Sequence, residues 1–100
     1  MSAVLFVRIK SELGFAELER RIRERKPGFL NVPGLLQKIY GHDPANGDIC
    51  GIYFFASREA LNAYRDTELA KSIPEAYQAT DVRHEVFEVL DTLRPDQGPV

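Results

Sequence analysis

Several features that narrow the chemistry of other proteins are scarce in this chain. It has one cysteine, Cys50, no tryptophan and no long apolar run in 100 residues. A single cysteine excludes an intrachain disulfide and offers no paired thiolates for zinc, which fits a reducing compartment. No run approaches the roughly 18 apolar residues that a membrane span needs. The net charge of -2 is too small to favour a nucleic-acid or membrane partner. We therefore expect a cytoplasmic protein that binds neither.

The overall amino-acid composition is that of a folded domain. Hydrophobic residues make up 44% of the chain and charged residues 28%, so the bulk of it is not disordered. A chain of this length forms one domain with a thin core. We expect a single domain over residues 1–94. Residues 95–100 contain two prolines and a glycine and are expected to be a frayed tail.

Two predicted strands have no polar face. Residues 49–56 are apolar at every position, and the strand over residues 4–10 begins with apolar side chains on both faces. Because side chains alternate across a sheet, such strands must be covered on both sides. The remaining pattern predicts these elements in chain order: a helix from about Ser11, a strand over residues 35–43, a helix capped by Ser57, a short continuation broken at Pro74, and a final strand over residues 82–93.

The order strand, helix, strand, strand, helix, strand predicts a ferredoxin-like α+β domain with a four-stranded antiparallel sheet. Its first and third strands, which are the two without a polar face, lie in the centre. Two helices cover one face of such a sheet and leave the other face open. Because that second face is also apolar, we expect two sheets to pack face to face in a two-fold homodimer.

Three segments carry a resemblance to a known family. They are Pro-Gly-Leu-Leu-Gln-Lys-Ile-Tyr at residues 33–40, Gly-Ile-Tyr-Phe-Phe at residues 51–55 and Ser-Arg-Glu-Ala-Leu-Asn-Ala-Tyr at residues 57–64. Through them the chain resembles the YdhR-type mono-oxygenase family of the dimeric α+β barrel superfamily, over most of residues 4–93. The family pattern has two glycines before the Ile-Tyr pair, and Cys50 replaces the first.

The resemblance implies a dimer with a pocket between sheet and helices. It also implies oxygenase chemistry without a cofactor, on a small aromatic or quinol-like substrate. The superfamily includes haem-degrading enzymes, whose Asn, Trp and His positions align near Val7, Phe55 and Pro74. None of the three matches, so haem degradation is not expected.

The hairpin predicts which side chains share the pocket. If Asp43 pairs with Asp48, Lys38 lies opposite Tyr53 and Tyr40 opposite Gly51, all on one face. Phe55 shares that face by parity. The superfamily alignment places Phe55 and Val7 beneath the helices. We predict Lys38 and Tyr53 as the catalytic residues. The predicted substrate-binding residues are Tyr40, Phe55, Val7 and His84.

Each of these assignments has an ordinary structural alternative. Lys38 could extend to solvent while Tyr53 only packs with its hydroxyl bonded. His84 is a natural acid or base near neutral pH, but a lone histidine on a strand is more often a hydrogen-bonded core or interface residue. His42 and the two aspartates of the hairpin are expected to shape the turn, so no metal is assigned. The basic residues of the first helix alternate with glutamates, as on a solvated face with i,i+4 ion pairs.

The favoured interpretation is a homodimeric mono-oxygenase without a cofactor. A non-catalytic dimer that binds a hydrophobic ligand or responds to stress is the main alternative. An isomerase or decarboxylase could use the same pocket. The sequence contains no strong acid-base pair that separates these three.

Overall fold

The computed structural model describes residues 2–97. Its strands are β1 (Ala3–Ser11), β2 (Leu35–His42), β3 (Ile49–Phe55) and β4 (Ala79–Glu88). Its helices are α1 (Phe15–Arg25), α2 (Arg58–Arg65), α3 (Glu68–Lys71) and α4 (Ile73–Ala76), with 3-10 turns at Lys26–Phe29 and Pro95–Gln97. None of these helices is both long and apolar enough to cross a membrane. Of the predicted tail, residues 98–100 lie outside the described residues.

The four strands form one antiparallel sheet in the order β2-β3-β1-β4. The prediction of a ferredoxin-like α+β fold with the first and third strands in the centre is confirmed. Every second residue is buried from Ala3 to Ile9 of β1 and throughout β3, and the residues between them are only partly buried. The helices cover the buried side, where the core lies. Its largest fully buried side chains are Leu5, Val7, Leu18, Tyr53, Phe55 and Leu61.

The hairpin has the predicted register around the candidate site. Lys38 pairs with Tyr53 and Tyr40 pairs with Gly51. The turn is closed by the amide of Asp43, which donates to the carbonyl of Asp48 at 2.8 Å. A bulge between Leu35 and Gln37 shifts the register at the far end of β2.

The first helix begins later than predicted because the first strand is longer. Ser11 still belongs to β1, where it pairs with Ala79. Its hydroxyl donates to the carbonyl of Tyr77 at 2.7 Å and accepts from the amide of Leu13 at 3.1 Å. These bonds hold the chain extended past Ser11, so α1 starts at Phe15.

The final strand is displaced from its predicted span. It was predicted over residues 82–93, but β4 runs from Ala79 to Glu88. Glu88 pairs with Ala3, the first residue of β1, so the partner strand ends there. One more bond follows, from the amide of Val89 to the carbonyl of Ser2 at 2.8 Å. An apolar run extends a strand only where a neighbouring strand is present to pair with it.

The side of the sheet away from the helices, here called the open face, divides into two halves. Towards the start of β1 it carries apolar side chains: Val4, Phe6, Ile39, Ile52, Phe54 and Phe87. Phe87 is 56% exposed and Ile39 is 47% exposed. The other half is ionic. There Asp48 accepts from Arg8 at 2.8 Å and from Lys10 at 3.2 Å.

Candidate active site

Lys38 lies in a cage of aromatic rings on the helix side of the sheet. Its Nζ is 3.4 Å from the ring centre of Phe29, 4.4 Å from that of Tyr40 and 4.5 Å from that of Tyr53. An ammonium over ring faces at these distances is attracted by the ring quadrupoles. Lys38 is therefore partly buried against the rings and does not simply extend to solvent, while its catalytic role stays a prediction.

Local sequence explains how the cage forms. Lys38 and Tyr40 are two residues apart on β2 and so lie on the same side of the sheet. The 3-10 turn that follows α1 contains Pro27 and places Phe29 in the core, where it is 5% exposed. A Cβ at Gly51 would lie only 2.9 Å from the ring of Tyr53 and 3.2 Å from Cε of Lys38. The missing side chain of Gly51 thus leaves room for both.

The cage changes the acidity of Lys38. Burial lowers the pKa of its amine from 10.5 to about 7, and the nearby positive charge of Arg25 adds to the shift. Arg25 is held beside the cage by a bond from its guanidinium to the carbonyl of Leu69 at 3.1 Å. With a pKa near 7, a substantial fraction of Lys38 is a neutral amine at physiological pH, and a neutral amine can accept a proton.

Tyr53 is connected to the helices through its hydroxyl. That hydroxyl accepts a hydrogen bond from the hydroxyl of Tyr64 on α2 at 3.2 Å. Burial, with Tyr64 close by, raises the pKa of Tyr53 well above its usual value, and burial raises the pKa of Tyr40 to about 12. Both phenols stay protonated at neutral pH. Phe55 is fully buried and stacks on Tyr53 with ring centres 6.2 Å apart, so it supports the site from within the core.

A small cavity of about 20 Å³ adjoins the cage, with Lys38, Tyr40, Tyr53, Val7 and Ile73 among its walls. A cavity of this volume is large enough for about one water molecule. It is too small for an aromatic substrate.

A larger cavity of about 230 Å³ lies between the other half of the sheet and the later helices. Val7 and Ile73 line both cavities and separate them. Tyr64 lines the larger one, so its bond to Tyr53 links the two spaces. His84 also lines the larger cavity and pairs with Val7 across the β1-β4 ladder. Partial burial and the charge of Arg65 lower the pKa of His84, which favours its neutral form.

The structure therefore places the predicted site residues in two neighbouring groups. Lys38, Tyr40 and Tyr53 lie together in the cage, with Phe55 behind them. His84 lies in the larger cavity, and Val7 forms part of the wall between the groups. The catalytic and substrate-binding roles of these residues remain predictions.

Sequence reasoning missed two aromatic members of the site. Phe29 follows Pro27-Gly28, and nothing in that local pattern places a ring over Lys38. Tyr64 appears in the sequence analysis only as the last residue of the family segment 57–64. Its hydroxyl contact depends on how α2 packs on β3, which a single sequence does not specify. The one available signal was the presence of an aromatic residue next to a turn that ends a helix.

Two other predicted features lie away from the cage. Cys50 is on the open face, where a Cβ on Gly41 would come within 2.6 Å of its Sγ. The departure from the family pattern thus concerns that face and is matched by the glycine opposite. His42 stacks on Phe15 with ring centres 4.2 Å apart. Among residues 2–97, no group of three or more His, Cys, Asp or Glu is placed to hold a metal ion.

Comparison with known proteins identifies the family. The profile described as "Putative mono-oxygenase ydhR" matches residues 4–96. The chain belongs to this family. No curated protein matches it.

Solved structures share the fold at low sequence identity. SnoaB, a cofactor-independent oxygenase from Streptomyces nogalater, is 15% identical, with a TM-score of 0.75 over 92% of this chain and 96% of that one. Rv0793 from Mycobacterium tuberculosis is 14% identical, with a TM-score of 0.74 over 93% and 99%. A dimeric ferredoxin-like protein of unknown function from Thermobifida fusca is 13% identical, with a TM-score of 0.67 over 88% and 92%. These likenesses show the fold of this ydhR-family chain.

Proposed function

We propose that this ydhR-family protein is a mono-oxygenase that needs no cofactor and acts on a small aromatic or quinol-like substrate between the sheet and the helices. The observation that carries the proposal is the Lys38 amine, held in an aromatic cage 3.4 Å from the ring centre of Phe29. Membership of a mono-oxygenase family and the fold shared with a cofactor-independent oxygenase support it.

The proposed chemistry begins with a proton. A substrate in the larger cavity lies against Tyr64, which is bonded to Tyr53, and Tyr53 shares the small cavity with Lys38. A substrate hydroxyl can lose its proton along this route to the neutral Lys38 amine, with one water in the small cavity completing the path. The resulting phenolate or enolate is electron-rich enough to pass an electron to dioxygen. For a ring-activated CH₂ group, one oxygen atom forms the new carbonyl and the other leaves as water with the two hydrogens.

We further propose that the protein is a homodimer formed through its open face. The apolar half of that face includes Phe87 and Ile39, each about half exposed. Beyond β4, Leu90 is 94% exposed and Leu93 is 90% exposed. Apolar side chains exposed together on one face of a sheet are typical of an interaction site. A second copy would cover it.

One observation favours the alternative of a non-catalytic ligand-binding protein. Val7 and Ile73 stand between the larger cavity and Lys38, so a ligand in that cavity would not touch the amine. Such a protein would bind aromatic compounds but would not consume oxygen. The two functions are therefore separated by a single measurement.

That measurement is oxygen uptake by the purified protein with a panel of hydroquinones and anthrones. We expect uptake with at least one compound. Lys38→Met should lower the rate about 100-fold, the usual contribution of a general base. Tyr53→Phe should also lower it, because the variant removes the hydroxyl that connects Tyr64 to the cage.

The control is Lys26→Met, which removes an exposed lysine from the neighbouring turn and should leave the rate unchanged. Folding of each variant is checked by circular dichroism. Unchanged rates in both Lys38→Met and Tyr53→Phe would contradict the proposed site. Binding without uptake for every compound would favour the ligand-binding alternative.

A further inference from the structure

The larger cavity has an apolar interior and a basic rim. Its interior is formed by Leu5, Val7, Ile73 and Val82, together with the ring of Tyr64. Three side chains of a different kind also line it: Arg65 at the end of α2, Lys71 at the end of α3, and His84 on β4. All three residues are exposed, which places them at the opening.

The two cations of the rim differ from Arg21 and Arg23 of α1. Arg21 pairs with Glu17 at 2.8 Å, and Arg23 pairs with Glu19 at 3.4 Å. Within the described residues 2–97, no carboxylate lies within 4.0 Å of Arg65 or Lys71. The rim therefore has two positive charges without a carboxylate partner, beside an apolar hollow.

A ligand that satisfies this arrangement has two parts. An aromatic body of one or two rings would fill the hollow, because apolar walls favour it and the volume of about 230 Å³ limits its size. An anionic group at its edge would accept hydrogen bonds from Arg65 and Lys71. A neutral aromatic compound would leave both charges without a partner.

We infer that the substrate of this cavity is an aromatic acid, with its carboxylate at the rim formed by Arg65 and Lys71. The inference rests on the proposed function, since it names the substrate class of the same site. It also assigns a direction to binding. The acid group faces solvent at the rim, and the ring lies towards Tyr64 and the path to Lys38.

The test compares two probes of the same shape by isothermal titration calorimetry. 2-Naphthoate carries a carboxylate, and 2-naphthalenemethanol carries a neutral hydroxymethyl group in its place. We expect the purified protein to bind 2-naphthoate at least about tenfold more tightly than 2-naphthalenemethanol. A difference of this size is the effect of one charge-assisted hydrogen bond. The preference should shrink when the salt concentration is raised.

Variants locate the effect. The double variant Arg65→Gln with Lys71→Gln should lose the preference for the acid and keep its affinity for the neutral probe. Arg58→Gln is the matched control, because Arg58 is an exposed arginine at the other end of α2 that does not line the cavity. It should behave as the unmodified protein does.

Several results would overturn the inference. The unmodified protein could bind the two probes with equal affinity, or it could fail to bind the acid. A folded double variant could also keep the full preference for the acid. The first two need no variant, so poor folding of the double variant does not weaken the test. Oxygen uptake with neutral quinols together with no preference for the acid would overturn this inference alone. Preference for the acid without any oxygen uptake would contradict the proposed function alone.

Discussion

At the scale of single residues, Gly51 leaves the space that the cage needs. It lies between Lys38 and Tyr53 on the helix side of the sheet, and the space that a side chain would occupy is filled by theirs. The resemblance to the family identified Gly51 as one of two glycines before Ile52, but it did not give the reason for that glycine. The reason is the space required by two neighbouring side chains, which only their packed positions reveal.

We predict that Gly51→Ala impairs the site. The new Cβ would lie 2.9 Å from the Tyr53 ring, so the ring and the Lys38 stem must both move. Oxygen uptake should fall about tenfold or more, because small displacements of catalytic groups are costly. The free energy of unfolding in urea should fall by about 1–3 kcal/mol, as is usual for overpacking.

Gly14→Ala is the control for this variant. A Cβ at Gly14 meets nothing within 4 Å, and its φ of -67° suits any residue. Oxygen uptake and the free energy of unfolding should both change little in this variant. A Gly51→Ala protein with full activity would show that the cage geometry does not matter for turnover.

A second prediction at this scale concerns the lowered pKa of Lys38 and its effect on stability. Its pKa is about 7 in the folded protein and near 10.5 when unfolded, so between these values the unfolded chain binds more protons. Stability contributed by this residue must therefore rise with pH. The free energy of unfolding of the unmodified protein, minus that of Lys38→Met, should increase by about 1 kcal/mol per pH unit between pH 7.5 and 9.5.

The difference between the two proteins is the informative quantity, because the buried tyrosines titrate in both and cancel. A constant difference across this range would contradict the prediction. It would mean that attraction to the three rings keeps the amine protonated despite its burial.

At the scale of secondary-structure elements, the sequence predicted most of the sheet. Strands without a polar face had to be central, and the hairpin turn placed Lys38 opposite Tyr53 from local pairing alone. The ends of elements were less predictable. The extent of β4 depends on where β1 begins, which is a contact between residues more than 80 positions apart. The span of α1 depends in the same way on the bonds of Ser11 to the end of α4.

The candidate site was also predicted only in part, because local pairing shows in the sequence and tertiary contacts do not. Lys38, Tyr40 and Tyr53 share neighbouring strands, so side-chain alternation was sufficient to group them. Phe29 and Tyr64 reach the site from a turn and a helix. Their positions follow from tertiary packing, as does the separation of His84 into a second cavity.

At the scale of the whole molecule, the open face makes the prediction of a homodimer testable. Phe87→Lys places a charge on the edge strand of its apolar half and should convert a dimer into a monomer in sedimentation velocity experiments at micromolar concentration. Leu30→Lys is the control, because Leu30 is 79% exposed but follows the 3-10 turn near the helices. It should leave the dimer intact. A monomeric unmodified protein at that concentration would contradict the proposal.

The division of the open face into an apolar and an ionic half also restricts how two copies can be oriented. Stacking the faces with their ionic halves in contact would remove the ion pairs of Arg8 and Lys10 with Asp48 from water, and stacking an ionic half on an apolar half would bury charges against apolar side chains. Only overlap of the apolar halves avoids both. The symmetry axis of a dimer would then pass near Phe54 and Phe87, and the two Asp48 clusters would lie at opposite ends of the particle, where water can reach them.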